Sequence, residues 1–228
     1  MEDMDKNKVT SKETTRIEAF SDGVFAIAIT LLILEIHVPV PEGNETLLQS
    51  LMHEWASFLA LLIGFFTLLV CWINHHYMFS MIHKSNSVLS LLNGFKLLVV
   101  TITPFATALL AKNIETSWIL SSATIYAFNF TLMGFAMTSI WLYASRNGFA
   151  TTESVKKLRV INRYYIFATI LSTTIWLVSY VSIILSLVLF CLMFINYIFP
   201  ERMVALWAFR RHTKDISADV SANAVKVN

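Results

Sequence analysis

Long apolar runs separated by short polar segments dominate the chain. They lie at 17–38, 54–80, 87–111, 117–144, 164–180 and 182–199. A helix needs about 20 mainly apolar residues to cross the hydrocarbon core of a bilayer, which is about 30 Å thick. The pattern therefore predicts an all-α, six-helix integral membrane protein that crosses the membrane repeatedly.

The first apolar run is short when it is measured between its acids. Asp22 and Glu35 enclose twelve uncharged residues, which make only about 18 Å of helix. Extended to residues 16–38 the segment has 23 residues, about 34 Å as a helix, and Pro39 then ends it. An acid before the run and the absence of a small-residue cleavage pattern argue against a signal peptide.

The last two apolar runs are almost continuous. The sequence "SYVS" at 179–182 predicts a turn between two helices, and one long bent helix is the alternative. Polar composition predicts mobile tails at 1–15 and 213–228. We therefore expect one membrane domain at 16–212 between two cytoplasmic tails.

The basic residues predict the orientation of the chain. All lysines and arginines except Lys96 and Lys112 lie in the N-terminal segment, the second or fourth loop, or the C-terminal segment. Cytoplasmic loops carry an excess of Lys and Arg. Because these segments share one side when the chain crosses six times, we expect both termini in the cytoplasm.

The amino-acid composition favours membrane lipid over water or nucleic acid as the surroundings of this chain. Hydrophobic residues make up 56% of the chain and charged residues 14%, which is far from the composition of a soluble domain. Basic residues are spread along the chain, so no nucleic-acid partner is expected. Cys71 and Cys191 lie inside apolar runs and do not indicate a disulfide framework. Membrane lipid is the expected surrounding.

Polar side chains gather at the predicted cytoplasmic ends of the helices. They are Arg16, Ser21, Asp22, Trp72, Asn74, His75, His76, Asn93, Lys96, Asn162, Arg163 and Asn196. Polar groups at membrane depth usually face protein or water, and they hold helices together. We expect one hydrogen-bonded layer with Asp22 as its acid and Arg16, Lys96 or Arg163 as its cationic partner. Lys96 extending to the inner interface is an alternative.

The histidines do not predict a fixed metal site. His75 and His76 are adjacent, and adjacent helical residues point about 100° apart. His76 and His83 share a helix face, but no third ligand accompanies them. We expect no cofactor.

The first predicted helix has one distinctive face. At 100° per residue, that face carries Gly23, Ala26, Ile27, Thr30, Leu31 and Leu34. Its small residues allow close approach of a second helix, while Phe25, Leu32 and Ile36 occupy the opposite face. A helix that is apolar all round should be buried. We therefore expect this helix to be central and ringed by the other five.

A symmetric oligomer would bring copies of this face together around an axis. The axis would then be a pore lined by Ile27, Leu31 and Leu34, with the Thr30 hydroxyl as a polar collar. A closed helix bundle without a water path fits the same residues on physical grounds. The carbonyl-filter sequence "TVGYG" is absent from the chain.

Three segments carry a family resemblance. The run "RIEAFSDGVFAIAITLLILEI" at 16–36 resembles the Arg-x-x-x-Phe-Ser-Asp signature of bacterial members of the transmembrane protein 175 potassium channel family. The segments "CWINHHYMF" at 71–79 and "TPFATALLA" at 103–111 resemble the ends of that family's second and third helices. The resemblance covers most of the chain.

The resemblance implies a homotetrameric, potassium-permeable cation channel in the cell membrane, with K+ as the permeant ion and no carbonyl filter. Its first helices would line the pore, with a constriction at Ile27, Leu31 and Leu34 and with potassium passing near Thr30. The implied signature network comprises Arg16, Phe20, Ser21, Asp22, Trp72, Asn74 and His75. Glu35 and His37 would mark the pore mouth. Lys96 is a departure from the family pattern.

Two other function classes compete with a passive channel. A proton-coupled ion transporter could use Asp22, Glu35 and His75, although the interrupted helices and inverted repeats common in such carriers are not recognisable. An intramembrane enzyme or haem protein would need a nucleophile or a cofactor site, and no serine–histidine pair at a shared depth suggests one. We expect a channel and not an enzyme.

Overall fold

A computed structural model of the chain describes residues 2–36, 38–40, 43, 46–198, 200, 202 and 204–205. Residues 2–13, 153, 156 and 196 are described by their backbone only. The predicted C-terminal tail at 213–228 lies outside the described residues.

Helices account for nearly all of the described chain. They are α1 Glu2–Leu31, α2 Leu47–His53, α3 Trp55–Ser80, α4 Ser87–Asn113, α5 Ile119–Arg146, α6 Thr152–Lys156, α7 Leu158–Ser179 and α8 Ile183–Ile198. A 3-10 turn, Leu32–Glu35, continues α1. The all-α prediction is confirmed within the described residues. The predicted turn between the last two apolar runs is also present, because α7 ends at Ser179 and α8 begins at Ile183.

Four segments in the described part of the chain are long and apolar enough to cross a membrane. They are Thr14–Glu35, Trp55–Ser80, Ser87–Asn113 and Ile119–Arg146. Helix α7 has 22 residues but is less apolar, and α8 has only 16 residues. The protein is therefore a membrane protein, and the six crossings stay a prediction.

The N-terminal segment differs from the sequence prediction. The backbone from Glu2 onward is helical and continuous with the apolar part of α1, so no helix boundary lies at the predicted tail end near residue 15. Residues 2–15 contain neither Pro nor Gly. Once the apolar segment has formed a helix, extension through such a sequence meets no helix breaker.

Helix α1 packs on α3 and α4 at the edge of the bundle. Its buried face contributes Phe25, Ala28 and Leu32 to a core cluster that also contains Leu68 of α3 and Leu97 of α4. The spacing of these α1 residues, three and four apart, is that of one helical face. The prediction that helix 1 is ringed by the other five is wrong within a single chain. The periodicity of α1 identified its buried face correctly. It carries no information on how many helices cover the opposite face of α1.

Polar contacts join the remaining helices. Asn129 Nδ2 donates to Thr103 Oγ1 at 3.0 Å and thereby links α5 to α4. Thr131 Oγ1 donates to the Ser172 carbonyl at 2.9 Å and links α5 to α7. Lipid removes the hydrophobic drive for association between membrane helices, so such bonds and close packing hold them together.

The loop between α3 and α4 contacts the loop between α5 and α6. The His83 amide donates to the Phe149 carbonyl at 2.9 Å, and the Thr151 amide donates to the Met81 carbonyl at 2.9 Å. These bonds flank an isolated antiparallel bridge between Ile82 and Ala150. Both loops, which were expected on the same side of the membrane, therefore lie at one end of the bundle.

Two side chains pack directly on Gly64 of α3. A Cβ atom at this position would lie 2.9 Å from Leu32 Cδ2 and 3.0 Å from Thr107 Cγ2. The absence of a side chain on Gly64 thus lets the 3-10 turn after α1 and the C-terminal part of α4 pack against α3.

We expect Gly64→Ala to lower the free energy of unfolding by about 1–3 kcal/mol, the usual cost of overpacking. Thermal unfolding of the detergent-solubilised protein measures the effect. Gly94→Ala is the matched control, because nothing lies within 4 Å of a Cβ at that helical glycine. Equal melting temperatures for Gly64→Ala and Gly94→Ala would contradict the packing described here.

Candidate functional site

The distinctive face of α1 points away from its own chain. Ile27, Leu31 and Leu34 expose 61%, 42% and 73% of their surface. The other members, Gly23, Ala26 and Thr30, are exposed as well. The structure therefore leaves all six residues of the face on the surface of one subunit, on the side of α1 opposite Phe25 and Leu32.

Thr30 places a hydroxyl in this otherwise apolar surface. Its Oγ1 donates to the Ile27 carbonyl of the same helix at 2.8 Å. The hydrogen of the hydroxyl is thereby committed to the backbone, while the oxygen keeps acceptor capacity. The exposed face thus carries one side-chain acceptor between the large residues Ile27 and Leu31.

Asp22 links α1 to α3 through a tryptophan. Trp72 Nε1 donates to Asp22 Oδ1 at 2.8 Å. The described hydrogen bond to this carboxylate therefore comes from an indole N–H. The cationic partner expected among Arg16, Lys96 and Arg163 stays a prediction.

Ser21 links α1 to α4. Its Oγ donates to the Ile17 carbonyl at 2.7 Å and accepts from Asn93 Nδ2 at 2.9 Å. Ser21 and Asn93 are both buried. The sequence placed Asn93 in the polar layer but not in the signature network. Its position along the third predicted helix, at the same depth as Ser21, was the one sequence feature that indicated a contact between them.

Asn74 joins helices other than α1. It donates from Nδ2 to the Tyr197 carbonyl at 2.8 Å and accepts at Oδ1 from the Tyr164 hydroxyl at 3.2 Å. Asn74 therefore connects α3 to α7 and α8. The expected bond between Asn74 and the α1 signature residues is absent from the described contacts.

His75 is buried between aromatic rings. Its ring centroid lies 5.8 Å from that of Phe25 and 4.5 Å from that of Phe79. Neither ring nitrogen has a hydrogen-bond partner among the described residues. The structure thus brings His75 against the buried face of α1 but not into a bond with Arg16, Ser21 or Asp22.

Lys96 lies inside the subunit and not at its surface. It is 0% exposed, and its Nζ lies 4.6 Å from the centroid of the Phe25 ring. The alternative in which Lys96 extends to the inner interface is therefore wrong. Lys96 shares the buried face of α4 with Asn93 and Val100, and this face packs against α1 and α3.

Residues 16–104 match the family model described as the endosomal/lysosomal potassium channel TMEM175. This segment includes the apolar part of α1, all of α3 and most of α4. The chain is 39% identical over 178 residues to the potassium channel Cha6605_3372 of Chamaesiphon minutus, which covers 76% of this chain and 88% of the relative. The chain belongs to the TMEM175 family.

A structural comparison and a second sequence match support membership of the TMEM175 family. The crystal structure of a lysosomal potassium-selective channel TMEM175 homolog from Chamaesiphon minutus superimposes with a TM-score of 0.71 at 36% identity. The match covers 87% of this chain and 98% of that chain. The human endosomal/lysosomal proton channel TMEM175 is 38% identical over 110 residues, which are 45% of this chain and 21% of the human protein.

Arg16 and Phe20, two residues of the predicted signature network, lie exposed near the N-terminal end of the apolar part of α1. At the other end, Glu35 lines a cavity of about 670 Å³ together with residues of α2, α3 and α4. Its polar lining residues include His53, Glu54, Lys112 and Glu115. His37, the other residue predicted at the pore mouth, lies outside the described residues.

Within the described residues, no group of three or more His, Cys, Asp or Glu side chains is placed to hold a metal ion.

The bond between Asp22 and Trp72 can be measured by a double-mutant cycle. We expect Asp22→Ala and Trp72→Phe each to lower the free energy of unfolding by about 1 kcal/mol through loss of the same bond. The double variant should then be about as stable as either single variant, which thermal unfolding in detergent would show. Fully additive losses would contradict a direct contribution of this bond.

Proposed function

We propose that the protein is a potassium-permeable cation channel of the cell membrane that conducts passively through a pore lined by α1. The observation that carries the proposal is the exposed face of α1 in a TMEM175-family membrane protein. That face is turned away from every helix of its own chain that α1 contacts. A homotetramer would place four copies of it around one axis and cover it.

The names of the relatives favour potassium as the permeant ion. The bacterial relatives from Chamaesiphon minutus and Streptomyces collinus are both named potassium channels, and they match 76% and 60% of this chain. The vertebrate relatives are named proton channels, and the human protein matches 45% of this chain. The longer matches therefore support a channel for K+, and they give no support to an enzyme.

The chemistry of the α1 face suits a narrow hydrophobic gate. Ile27, Leu31 and Leu34 follow one another along α1 at intervals of about one helical turn, so four copies would form three apolar rings. Hydrophobic constrictions gate by dewetting. The Thr30 oxygens would supply a polar collar beside the narrow part, past which potassium moves without a fixed metal site.

The buried side of α1 would hold this surface in position. The bonds from Trp72 to Asp22 and from Asn93 to Ser21 fix the inner end of the apolar segment to two neighbouring helices. Arg16 and Phe20 are exposed there, which leaves them available to an adjacent subunit. Glu35, at the opposite end and beside an acid-containing cavity, would attract cations to the outer mouth.

The topology that accompanies this proposal has six crossings and both termini in the cytoplasm. Lys84 lies in one of the two loops joined by the Ile82–Ala150 bridge, and Arg146 and Lys156 lie in the helices that flank the other loop. The contact of the two loops at one end of the bundle is what a cytoplasmic position for both requires.

The test is potassium flux from liposomes that contain the purified protein. We expect a potassium gradient alone to drive flux, and we expect Ile27→Asn and Leu31→Asn to raise it severalfold because a polar ring stabilises water in the constriction. Ile170→Asn on α7 is the matched control, since Ile170 is 59% exposed and Ile27 61%. This control should conduct like the wild type.

Two results would contradict the proposal. Unchanged flux in both Ile27→Asn and Leu31→Asn would mean that α1 does not line the pathway. Flux that stops without a pH gradient would instead favour the proton-coupled transporter.

A further inference from the structure

Three buried polar side chains meet at the junction of α1, α3 and α4. They are His75, Asn93 and Lys96, with exposed fractions of 1%, 2% and 0%. Within the described residues, Lys96 Nζ, Asn93 Oδ1 and both ring nitrogens of His75 have no hydrogen-bond partner. Buried polar groups in proteins are nearly always paired, so this group needs an explanation.

The three side chains surround the buried face of α1. Lys96 Nζ lies 4.6 Å from the centroid of the Phe25 ring, and the His75 ring lies 5.8 Å from the same ring. Asn93, one turn before Lys96 on α4, is bonded to Ser21, one turn before Phe25 on α1. The cluster is therefore a single site centred on Phe25.

The surroundings of Nζ suit a cation. A protonated lysine has three N–H donors and no acceptor. It faces the π-surface of Phe25, which attracts a cation. The unbonded imidazole of His75 lies against the same ring, and Asn93, whose oxygen is unused, lies one turn away on α4. The Asp22 carboxylate lies three residues before Phe25 on the same helix. One or two bridging water molecules would complete the hydrogen bonds of such a group.

The position of this cation relative to the pore gives it a function. Phe25 and Ile27 lie on opposite sides of α1, so Lys96 lies behind the helix whose other face would line the pathway. A helix with its side chains is about 10–12 Å across. A charge on Lys96 would therefore act on a cation at the other face of α1 across about the width of one helix. Through protein of low polarity, this changes the energy of the cation far more than the same separation would in water.

We propose that Lys96 is a conductance-determining residue of the channel. This inference rests on the proposed function. The ammonium group of Lys96, held behind Phe25, lowers the occupancy of the Ile27 region by cations. Four copies in a tetramer act together and limit the potassium current through each open pore.

Single-channel recording in planar bilayers with symmetrical potassium chloride tests this proposal. Lys96→Met keeps the length of the side chain and removes its charge, and we expect the unit conductance to rise at least about twofold. Lys96→Arg keeps the charge and should conduct like the wild type.

Leu97→Met is the control for altered packing, because Leu97 is the neighbouring buried residue on α4 and carries no charge. Its unit conductance should equal that of the wild type. A purely structural role for Lys96 would reduce the number of working channels without raising unit conductance. If Lys96→Met does not yield folded protein, Lys96→Gln removes the charge in a polar side chain and is expected to show the same gain.

Two outcomes would overturn the inference alone while wild-type potassium current persists. One is a neutral variant that conducts like the wild type. The other is a gain in Lys96→Met that Leu97→Met reproduces. A wild-type protein that carries no potassium current would overturn the proposed function and this inference together.

Discussion

The attachment of α1 to its own subunit along one face is the constraint on which the rest of the structure depends. Hydrocarbon does not drive apolar helices together, so the attachment needs polar bonds and close packing. Near the N-terminal end of the apolar segment, Asp22 is bonded to Trp72 and Ser21 to Asn93. Near its C-terminal end, Leu32 packs over Gly64, where a methyl group would already be too close. These contacts at two levels fix the rotation of α1 about its axis.

The fixed rotation gives α1 two chemically different sides. Toward the subunit it presents Ser21, Phe25 and Leu32, which are buried against α3 and α4. Toward the outside it presents apolar side chains and the Thr30 oxygen, which are exposed in the described part of the chain. A pore formed by such a helix has its lining and its attachment on opposite sides, so substitutions at the attachment act on the pore through the position of α1.

Much of the fold could be predicted from the sequence because membrane helices are defined by apolar length. Within the described residues, the six apolar runs overlap α1, α3, α4, α5, α7 and α8, and four of these segments are long and apolar enough to cross a membrane. The Ser179–Ser182 region forms the expected turn. The 100° periodicity of α1 correctly separated Ile27 from Phe25. The helical character of residues 2–15 was missed because polar composition, and not the absence of helix breakers, guided that prediction.

The candidate site was less predictable for a physical reason. Sequence position gives the depth of a side chain in the membrane, but contacts also depend on the direction in which each helix turns it. Depth correctly grouped Asp22, Trp72, Asn93 and Lys96 at one level. Direction decided that Trp72 bonds Asp22, that Asn74 faces α7 and α8, and that Lys96 lies behind Phe25. Nor does one chain's periodicity reveal how many copies assemble.

The central claim is that copies of α1 meet at an axis, and cross-linking at Thr30 tests it most directly. The variant Thr30→Cys, made in a Cys191→Ser background because Cys191 is exposed and Cys71 buried, would be oxidised in native membranes and the linked species sized under denaturing conditions. The account predicts rapid formation of disulfide-linked dimers from Thr30→Cys, and linkage up to four subunits with a longer thiol cross-linker. A protein that stays monomeric under both treatments, while Thr30→Cys reacts with a lipid-soluble thiol reagent, would place this face of α1 against lipid and contradict the account.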